Sequence, residues 1–132
     1  MLTPDQYETH MREYLHALST GDGAGVASRF ADDVVFHVGG THDLSGAFTG
    51  RDNVGAALGR FKERSGGTVK LVPGEPMFNG EYCAVTLQFT AHRPGKMMSQ
   101  QGIDVFRLGP GGVEEVWLFS TDQVFEDEFW AE

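Results

Sequence analysis

The sequence predicts a single α+β domain, in which a cone-shaped, curved sheet of mixed but mainly antiparallel strands wraps around three N-terminal helices and holds an internal pocket. Two observations carry this prediction. Helical patterns fill the first half of the chain, whereas strand patterns separated by hairpin turns fill the second half. Several strands are also apolar on both faces, so the sheet needs a cover on each side. The 132 residues suffice for one domain, spanning 1–132, with a substantial core.

The first predicted helix opens with a capping box. Thr3 is suited to cap the helix, Pro4 to occupy its first position, and Gln6 to complete the reciprocal pattern. Gly21 ends the helix. Between these ends runs one apolar stripe at helical spacing, formed by Tyr7, Met11, Tyr14, Leu15 and Leu18.

The remainder of the first half contains two more helices and one strand. Asp22 can cap a short second helix that ends near Asp32-Asp33. Residues 34–38 are β-branched or aromatic apart from one histidine, which predicts a strand. A glycine-rich loop over 39–50 then leads into a third helix from about 51 to 64.

The second half is predicted to be an antiparallel meander, because hairpin turn signals separate its apolar segments. The strands are roughly 68–78, 81–93, 96–108 and 113–122. In the tail from Phe125 to Trp130, aromatic residues alternate with acidic ones. We expect this tail to form an ordered cap over the pocket mouth or over a dimer edge.

Composition limits the partners and the compartment. Ten basic residues are scattered among nineteen acidic ones, giving a net charge of −9, so neither nucleic acid nor an anionic membrane is an expected partner. Cys83 is the only cysteine, which excludes an intramolecular disulfide. The N-terminal residues lack a signal-peptide pattern, and no apolar stretch approaches the roughly 20 residues of a membrane span. We therefore expect a soluble, cytoplasmic protein.

The apolar character of both sheet faces also predicts the oligomeric state. In the strand over 81–93, Cys83 and Val85 point to one side, while Tyr82 and Ala84 point to the other. Three helices can cover one face of the sheet. The other face is expected to pack against a second copy, which makes a homodimer the expected assembly.

Three segments carry a family resemblance that covers nearly the whole chain. The stretch from Glu13 to Asp22, followed by Phe30 to Val34, resembles the opening of bacterial ketosteroid isomerases, and Gly102 to Arg107 resembles the isomerase strand that bears a catalytic aspartic acid. Val113 to Trp117, followed by Asp122, resembles the closing strand of SnoaL-like polyketide cyclases. The chain thus resembles the nuclear transport factor two-like superfamily, whose members have many different activities.

The isomerase resemblance implies an oxyanion site. In those enzymes a tyrosine on the first helix and a neutral aspartic acid on the sheet hydrogen-bond a carbonyl oxygen as it becomes an enolate. Tyr14 and Asp104 occupy the matching positions. Asp104 shares an apolar strand face with Phe106, so a protonated, donating carboxyl group is physically reasonable. The alternative is that Tyr14 only packs against Leu18, while Asp104 bonds to a nearby donor.

Two residues compete for the role of the base. Where the isomerases carry their proton-shuttling aspartate, this chain has His37, whose residue type has a suitable pKa for general base catalysis. Asp122 lies close to the place of the aspartate that starts ring closure in SnoaL-like cyclases. The alternatives are a satisfied core or rim histidine for His37 and a cap of the C-terminal turn for Asp122.

Two other chemistries are disfavoured. Limonene epoxide hydrolase-like enzymes share this architecture but need an arginine where this chain has Gly102. His37, His42, Asp43 and His92 lack a recognised metal-ligand spacing, and a lone loop histidine such as His42 is usually solvated. Neither a metal nor a cofactor is therefore expected.

The aromatic residues predict the kind of ligand. An aromatic-rich cavity suits a flat, largely apolar molecule with one or two oxygens. The expected substrate-binding residues are Phe36, Phe48, Phe61, Phe106 and Trp117. The alternative for each of them, and for Trp130, is a place in the core or at a dimer contact, depending on the curvature of the sheet.

Three classes of function follow, of which the third, an interaction domain that works through the dimer face, has no dedicated surface signal. The first is a cofactor-independent enzyme of the isomerase or cyclase (lyase-like) type, which moves a proton on a carbonyl-bearing apolar metabolite. The second is a non-catalytic ligand-binding or accessory domain that uses the same pocket without turnover. Convergence of Tyr14 and Asp104 in an open interior favours the enzyme, whereas a closed interior favours the binding domain.

Overall fold

The computed structural model describes residues 3–132, so Met1 and Leu2, which open the N-terminal segment considered above, lie outside the described residues. Within that range the chain forms four helices and seven strands. The helices are α1 (Pro4–Thr20), α2 (Gly23–Ala27), α3 (Arg51–Arg64) and α4 (Gln123–Trp130). The strands are β1 (Phe30–Val38), β2 (Gly46–Thr49), β3 (Lys70–Pro73), β4 (Met77–Asn79), β5 (Tyr82–Arg93), β6 (Lys96–Gly109) and β7 (Gly112–Ser120).

Helix α1 has the ends that its sequence predicts. The Thr3 hydroxyl accepts a hydrogen bond from the Gln6 amide at 3.2 Å, and the Gln6 side chain accepts one from the Thr3 amide at 2.8 Å. Gly21 ends the helix with a positive φ of 72°, which glycine adopts without a steric penalty. Between these ends, the predicted apolar stripe of α1 is packed into the main core.

The strands form one mixed sheet in the order β2-β1-β7-β6-β5-β3, with β4 also pairing with β5. Strands β5, β6 and β7 form the predicted antiparallel meander. Strand β1 lies parallel to β7, which makes the sheet mixed. The predicted α+β architecture, with a curved mixed sheet, is thus observed.

Three boundaries differ from the prediction. The second helix ends at Ala27 rather than near residue 32, because the chain from Phe30 onward is already in strand β1. The glycine-rich loop contains a short strand, β2, which pairs with β1. The expected strand over 68–78 is two strands, β3 and β4, separated around Pro76, whose missing N–H cannot join a ladder.

The C-terminal tail, which was expected to form an ordered cap over the pocket mouth or a dimer edge, forms helix α4. Asp122 caps it, and Phe129 and Trp130 are buried at its end. Helix α4 contacts β6 and β7. No helix within residues 3–132 is long and apolar enough to cross a membrane.

The side-chain alternation of the strands defines two faces of the sheet. On β6, Asp104, Phe106 and Leu108 point to the inner face, which the helices cover, whereas Ile103 points to the outer face. On β1, the inner face carries Phe36. These two faces decide which predicted site residues come together.

Candidate functional site

The inner face has a packed end and a half-buried end. At the packed end Phe106, Leu108 and Val116 are fully buried within the main core. Toward the other end, inward-pointing side chains retain some exposure to solvent. We call this part the half-buried inner region; it consists of Phe48, Phe61, Phe89, Gln100, Asp104, Leu118 and Ser120.

Tyr14 lies on α1 at the border of this region. Its side chain is 2% exposed, and its ring packs edge-on against Phe106 with the ring centroids 5.1 Å apart. Within residues 3–132, no hydrogen bond to the Tyr14 hydroxyl is present. Burial raises the pKa of the hydroxyl well above its ordinary value, and the nearby Asp104 charge adds to the shift. The hydroxyl is therefore a permanent donor near neutral pH.

Asp104 points into the half-buried inner region from the middle of β6. Its register partners are Val85 on β5 and Leu118 on β7, so its surroundings on the sheet are apolar. This burial raises the pKa of its carboxyl group to about 8, with a smaller contribution from the charge of Glu126. Asp104 is consequently protonated at neutral pH and can donate a hydrogen bond, although it has no partner among the described residues.

Glu126 is a neighbour of Asp104 that the sequence interpretation missed. It lies on α4 and accepts a hydrogen bond from the Ser120 hydroxyl on β7. Burial raises the pKa of its carboxyl group, while the Ser120 hydrogen bond opposes the shift. The signal that was available is helical spacing, since Gln123, Glu126, Asp127 and Trp130 lie on one side of α4.

His37 lies on the outer face, opposite to Tyr14 and Asp104. It alternates along β1 with Phe36, which occupies the inner face. Its Nε2 atom is 2.6 Å from a Glu115 carboxylate oxygen, and its ring stacks on Trp117 with a centroid distance of 5.5 Å. The expected grouping of His37 with Tyr14 and Asp104 is therefore not present, because the strand alternation directs His37 away from them.

Asp122 serves as the N-cap of helix α4. Its carboxylate accepts a hydrogen bond from the Phe125 amide at 3.0 Å, and the residue is exposed. The structure shows no contact between Asp122 and Asp104. The capping alternative describes Asp122 better than the role of a base, because its carboxylate is committed to the helix terminus.

Four of the five aromatic residues expected at the pocket are on the inner side. Phe36 and Phe106 are buried in the main core, while Phe48 and Phe61 are partly buried against it. Trp117 is the exception, since it stacks on His37 on the outer face. Trp130 of α4 packs edge-on against Phe61 at 4.8 Å between ring centroids, so the final helix contributes to the inner wall.

His42 differs from its expected solvated state. It is 8% exposed, its Nδ1 atom accepts a hydrogen bond from the Leu44 amide at 3.1 Å, and its ring packs edge-on against Phe61. Its Nε2 atom is buried without a partner in the described part of the chain. Within residues 3–132, no three His, Cys, Asp or Glu side chains converge on a position that could hold a metal ion.

An open groove of about 510 Å³ lies elsewhere, between α1 and α2. Its lining includes Glu13 and Arg29, which form an ion pair with each other, together with Arg12 and His16. These are the solvated, charged sides of two helices. The unpaired donors of the half-buried inner region are better suited to recognise an apolar ligand with an oxygen atom.

Comparisons with known proteins agree with this fold. Residues 11–116 match the model of the SnoaL-like domain. An uncharacterized protein of Mycobacterium tuberculosis is 31% identical over 132 residues, which cover 98% of this chain and 100% of that protein. A solved structure with a cystatin-like fold from Xanthomonas campestris is 36% identical, has a TM-score of 0.90, and covers 96% of this chain and 98% of its own.

The structure of Bal32a, from a soil-derived mobile gene cassette, is 26% identical, with a TM-score of 0.88 and coverage of 96% of this chain and 97% of its own. Other solved neighbours are nuclear transport factor two-like, polyketide cyclase-like and ketosteroid isomerase-like proteins at 14% to 21% identity, and these show the fold alone. The predicted fold class is confirmed.

Proposed function

We propose that this chain, which belongs to the SnoaL-like domain family, binds a small apolar molecule bearing a carbonyl or hydroxyl group in the half-buried inner region. The proposed reaction is an isomerisation or cyclisation by proton transfer. One observation carries the proposal: the Tyr14 ring packs against Phe106, two residues from Asp104 on the same face of β6, and neither the Tyr14 hydroxyl nor the Asp104 carboxyl has a hydrogen-bond partner among residues 3–132.

The unused hydrogen-bonding capacity of these two groups supports a binding site on the inner side of the sheet. Tyr14 is 2% exposed and Asp104 is half-buried, and no hydrogen bond to either side chain is present within residues 3–132. A ligand oxygen held between the two groups would gain two hydrogen bonds.

The two donors suit a carbonyl oxygen that gains negative charge. When a proton leaves the carbon next to a carbonyl group, charge develops on the oxygen. Donors that are already fixed in an apolar environment stabilise that charge more than water does. The Tyr14 hydroxyl stays protonated because its pKa is raised, and Asp104 keeps its proton up to a pH of about 8. Both groups would therefore donate to the developing enolate at neutral pH.

One observation favours the second class of function, a binding domain without turnover. His37 and Asp122, the two bases expected from the sequence, are respectively on the outer face and at a helix cap. Without another base, the inner region would bind an oxygenated apolar molecule and leave it unchanged. Binding is thus the first property to test, and proton transfer is the second.

The test of the proposed binding is a fluorescence titration with 2-naphthol, whose ionised form resembles an enolate. We expect Tyr14→Phe and Asp104→Leu each to weaken binding by about 1–3 kcal/mol, the cost of leaving a buried partner unpaired. Asp104→Asn should retain most of the affinity, because its amide still donates a hydrogen bond. The matched control is Tyr7→Phe, which removes a hydroxyl from the same helix two turns away. Affinity that is indifferent to both site variants would contradict the proposal.

We further propose that the outer face of the sheet packs against a second copy of the chain. Ile103 and Phe119 are directly paired across β6 and β7 on this face, and they are 43% and 55% exposed. The polar side chains farther along this face are already paired, as Arg107 with Glu114 and His37 with Glu115. A symmetric contact between two copies would therefore bury apolar area without burying an unpaired charge.

A cytoplasmic location also remains a proposal. It is supported by the single cysteine of the chain, Cys83, which is buried and free. A protein without disulfides is suited to a reducing compartment.

A further inference from the structure

Helix α4 brings a second carboxyl group to the half-buried inner region. Ser120 is the register partner of Gly102, two residues before Asp104, so Ser120 and Asp104 are diagonal neighbours on the inner face, at a spacing of about 7–8 Å between Cα atoms. Glu126 accepts the hydrogen bond of the Ser120 hydroxyl. The Glu126 carboxyl group is thereby held on the same side of the sheet as the Asp104 carboxyl group.

The surroundings of the two carboxyl groups differ in a way that separates their protonation states. Asp104 lies between Val85 and Leu118 and receives no hydrogen bond from the described residues. Glu126 receives the Ser120 hydrogen bond and lies in the first turn of α4, where the helix dipole favours negative charge. Burial raises the pKa of both carboxyl groups, but only Glu126 has a hydrogen-bond donor that favours its charged form, so Glu126 is the group that ionises first and Asp104 the one that keeps its proton.

We infer that Glu126 is the proton-transfer residue of this site, acting on a ligand whose oxygen is held by Tyr14 and Asp104. The inference rests on the proposed function, for which no base has yet been named, and it assigns that role to Glu126. The expected ligand is an apolar ketone with a removable proton on the carbon next to its carbonyl group. Ser120 is a positioning residue, since it holds the Glu126 carboxylate and does not itself exchange a proton with the ligand.

The step balances without a co-reactant. The Glu126 carboxylate takes a proton from the carbon, the C–H electron pair forms the enolate double bond, and the carbonyl oxygen becomes negative. The enolate oxygen accepts hydrogen bonds from Tyr14 and from protonated Asp104. Glu126 then returns the proton to the same carbon, or to the far end of a conjugated enolate, which gives the isomer.

The experiment uses 2-tetralone, an enolisable apolar ketone, incubated with the intact protein in D₂O. Uptake of deuterium at the carbon next to the carbonyl group is followed by mass spectrometry. We expect the natural protein to accelerate uptake and Glu126→Gln to lower the rate by about 10²–10⁴-fold, the usual contribution of a general base. The same variant should bind 2-naphthol within about threefold of the natural protein. Glu128→Gln, an exposed glutamate of the same helix, is the matched control and should change neither rate nor affinity.

Three further measurements distinguish the loss of the base from a folding defect in Glu126→Gln. Glu126→Asp keeps a carboxylate and should retain part of the exchange rate. In the natural protein the rate should rise with pH as Glu126 loses its proton, a titration also influenced by Asp104 on β6 and by Asp127 on α4. Ser120→Ala should move the midpoint of that profile upward, because the hydrogen bond that favours the carboxylate is lost.

The outcomes distinguish the two proposals. If 2-naphthol does not bind, or binds regardless of Tyr14 and Asp104, the proposed function fails and the role of Glu126 fails with it. If 2-naphthol binds as expected but the natural protein does not accelerate exchange, or Glu126→Gln exchanges as fast as the natural protein, only the role of Glu126 is overturned. Loss of deuterium exchange in Glu126→Gln, with retained binding of 2-naphthol, supports both proposals.

Discussion

Phe106 packs edge-on against Tyr14, with ring centroids 5.1 Å apart, and Asp104 lies two residues before Phe106 on the same face of β6. The aromatic contact therefore fixes the ring that carries one donor beside the strand that carries the other. It links the packing of the core directly to the geometry of the candidate site.

Replacing Phe106 should accordingly affect stability and binding together. Phe106→Ala removes a fully buried ring and should cost about 3–5 kcal/mol of unfolding free energy, measured by urea denaturation. Phe106→Leu should cost less but still weaken 2-naphthol binding, because the Tyr14 ring loses its edge contact. Phe78→Ala, at a partly exposed ring on β4, is the control and should cost less than about 1 kcal/mol. Unchanged 2-naphthol binding in Phe106→Leu would show that the contact between Phe106 and Tyr14 does not control the geometry of the site.

Asp104 should make the stability of the protein depend on pH. Its folded-state pKa of about 8 lies above the value near 4 of an unfolded aspartic acid. The contribution of Asp104 to the free energy of unfolding is therefore fully present below pH 4. The contribution is lost as pH rises through 8, because the unfolded chain releases the proton first. We expect Asp104→Asn to match the natural protein at pH 4 and to be more stable at pH 8, by on the order of 1 kcal/mol or more.

The control for the Asp104 measurement is Asp33→Asn, at an exposed carboxyl group on β1. This variant should leave the pH dependence of the urea midpoint unchanged. Parallel pH curves for Asp104→Asn and the natural protein would show that Asp104 is ionised in the folded state, and would remove the argument for a protonated donor.

His42 should have the opposite effect, on the acid side. Burial lowers the pKa of its imidazole, against the smaller opposing effects of the nearby Asp127 and Asp43 carboxylates. The unfolded chain therefore takes up a proton first as pH falls below about 6.5, and stability declines. His42→Asn keeps an acceptor for the Leu44 amide, and its urea midpoint should fall less between pH 7 and pH 5.

The control for His42 is His92→Asn, at an exposed histidine on β5, which should follow the natural protein. Part of the acid-side loss should persist in both variants, because burial also lowers the pKa of His10. If His42→Asn and the natural protein lose stability equally, the buried unpaired nitrogen of His42 is not the source of the dependence.

The proposed dimer can be tested at the outer face. Ile103→Lys places a charge in the centre of the exposed apolar pair and should convert the dimer to a monomer, measured by light scattering during size-exclusion chromatography. Val124→Lys, at an exposed position on α4, is the control and should leave the mass unchanged. A natural protein that is already monomeric at micromolar concentration would contradict the dimer.

The elements that were predictable from sequence are those with local signals. The capping box of α1 uses residues three apart, and the hairpins between β5, β6 and β7 depend on short glycine-containing turns. Strand β2 and the division between β3 and β4 depend instead on distant partners, β1 and β5. Pairing with a distant strand gives little signal in the local sequence of the segment itself.

The candidate site was predictable to the same extent. Tyr14 and Asp104 were identified together, on resemblance and on the apolar strand face around Asp104. Asp104 lies in the half-buried inner region, and Tyr14 lies at its border. Glu126 was missed because the tail was not predicted to be a helix, and only helix α4 turns Glu126 toward Ser120. Asp122 is a cap, which was the predicted alternative to the role of a base.

By itself, the sequence determined that His37 and Phe36 point to opposite sides of their strand, because side chains alternate with a period of two. It could not determine which side faces the helices. Both sides carry apolar residues, with Val34, Phe36 and Val38 on one side and Val35 beside His37 on the other. Tertiary packing decided the question by placing Phe36 in the core and stacking His37 on Trp117 outside it. A strand with apolar residues on both sides has only a weak hydrophobic pattern to choose its orientation, so the choice also depends on what packs against each face.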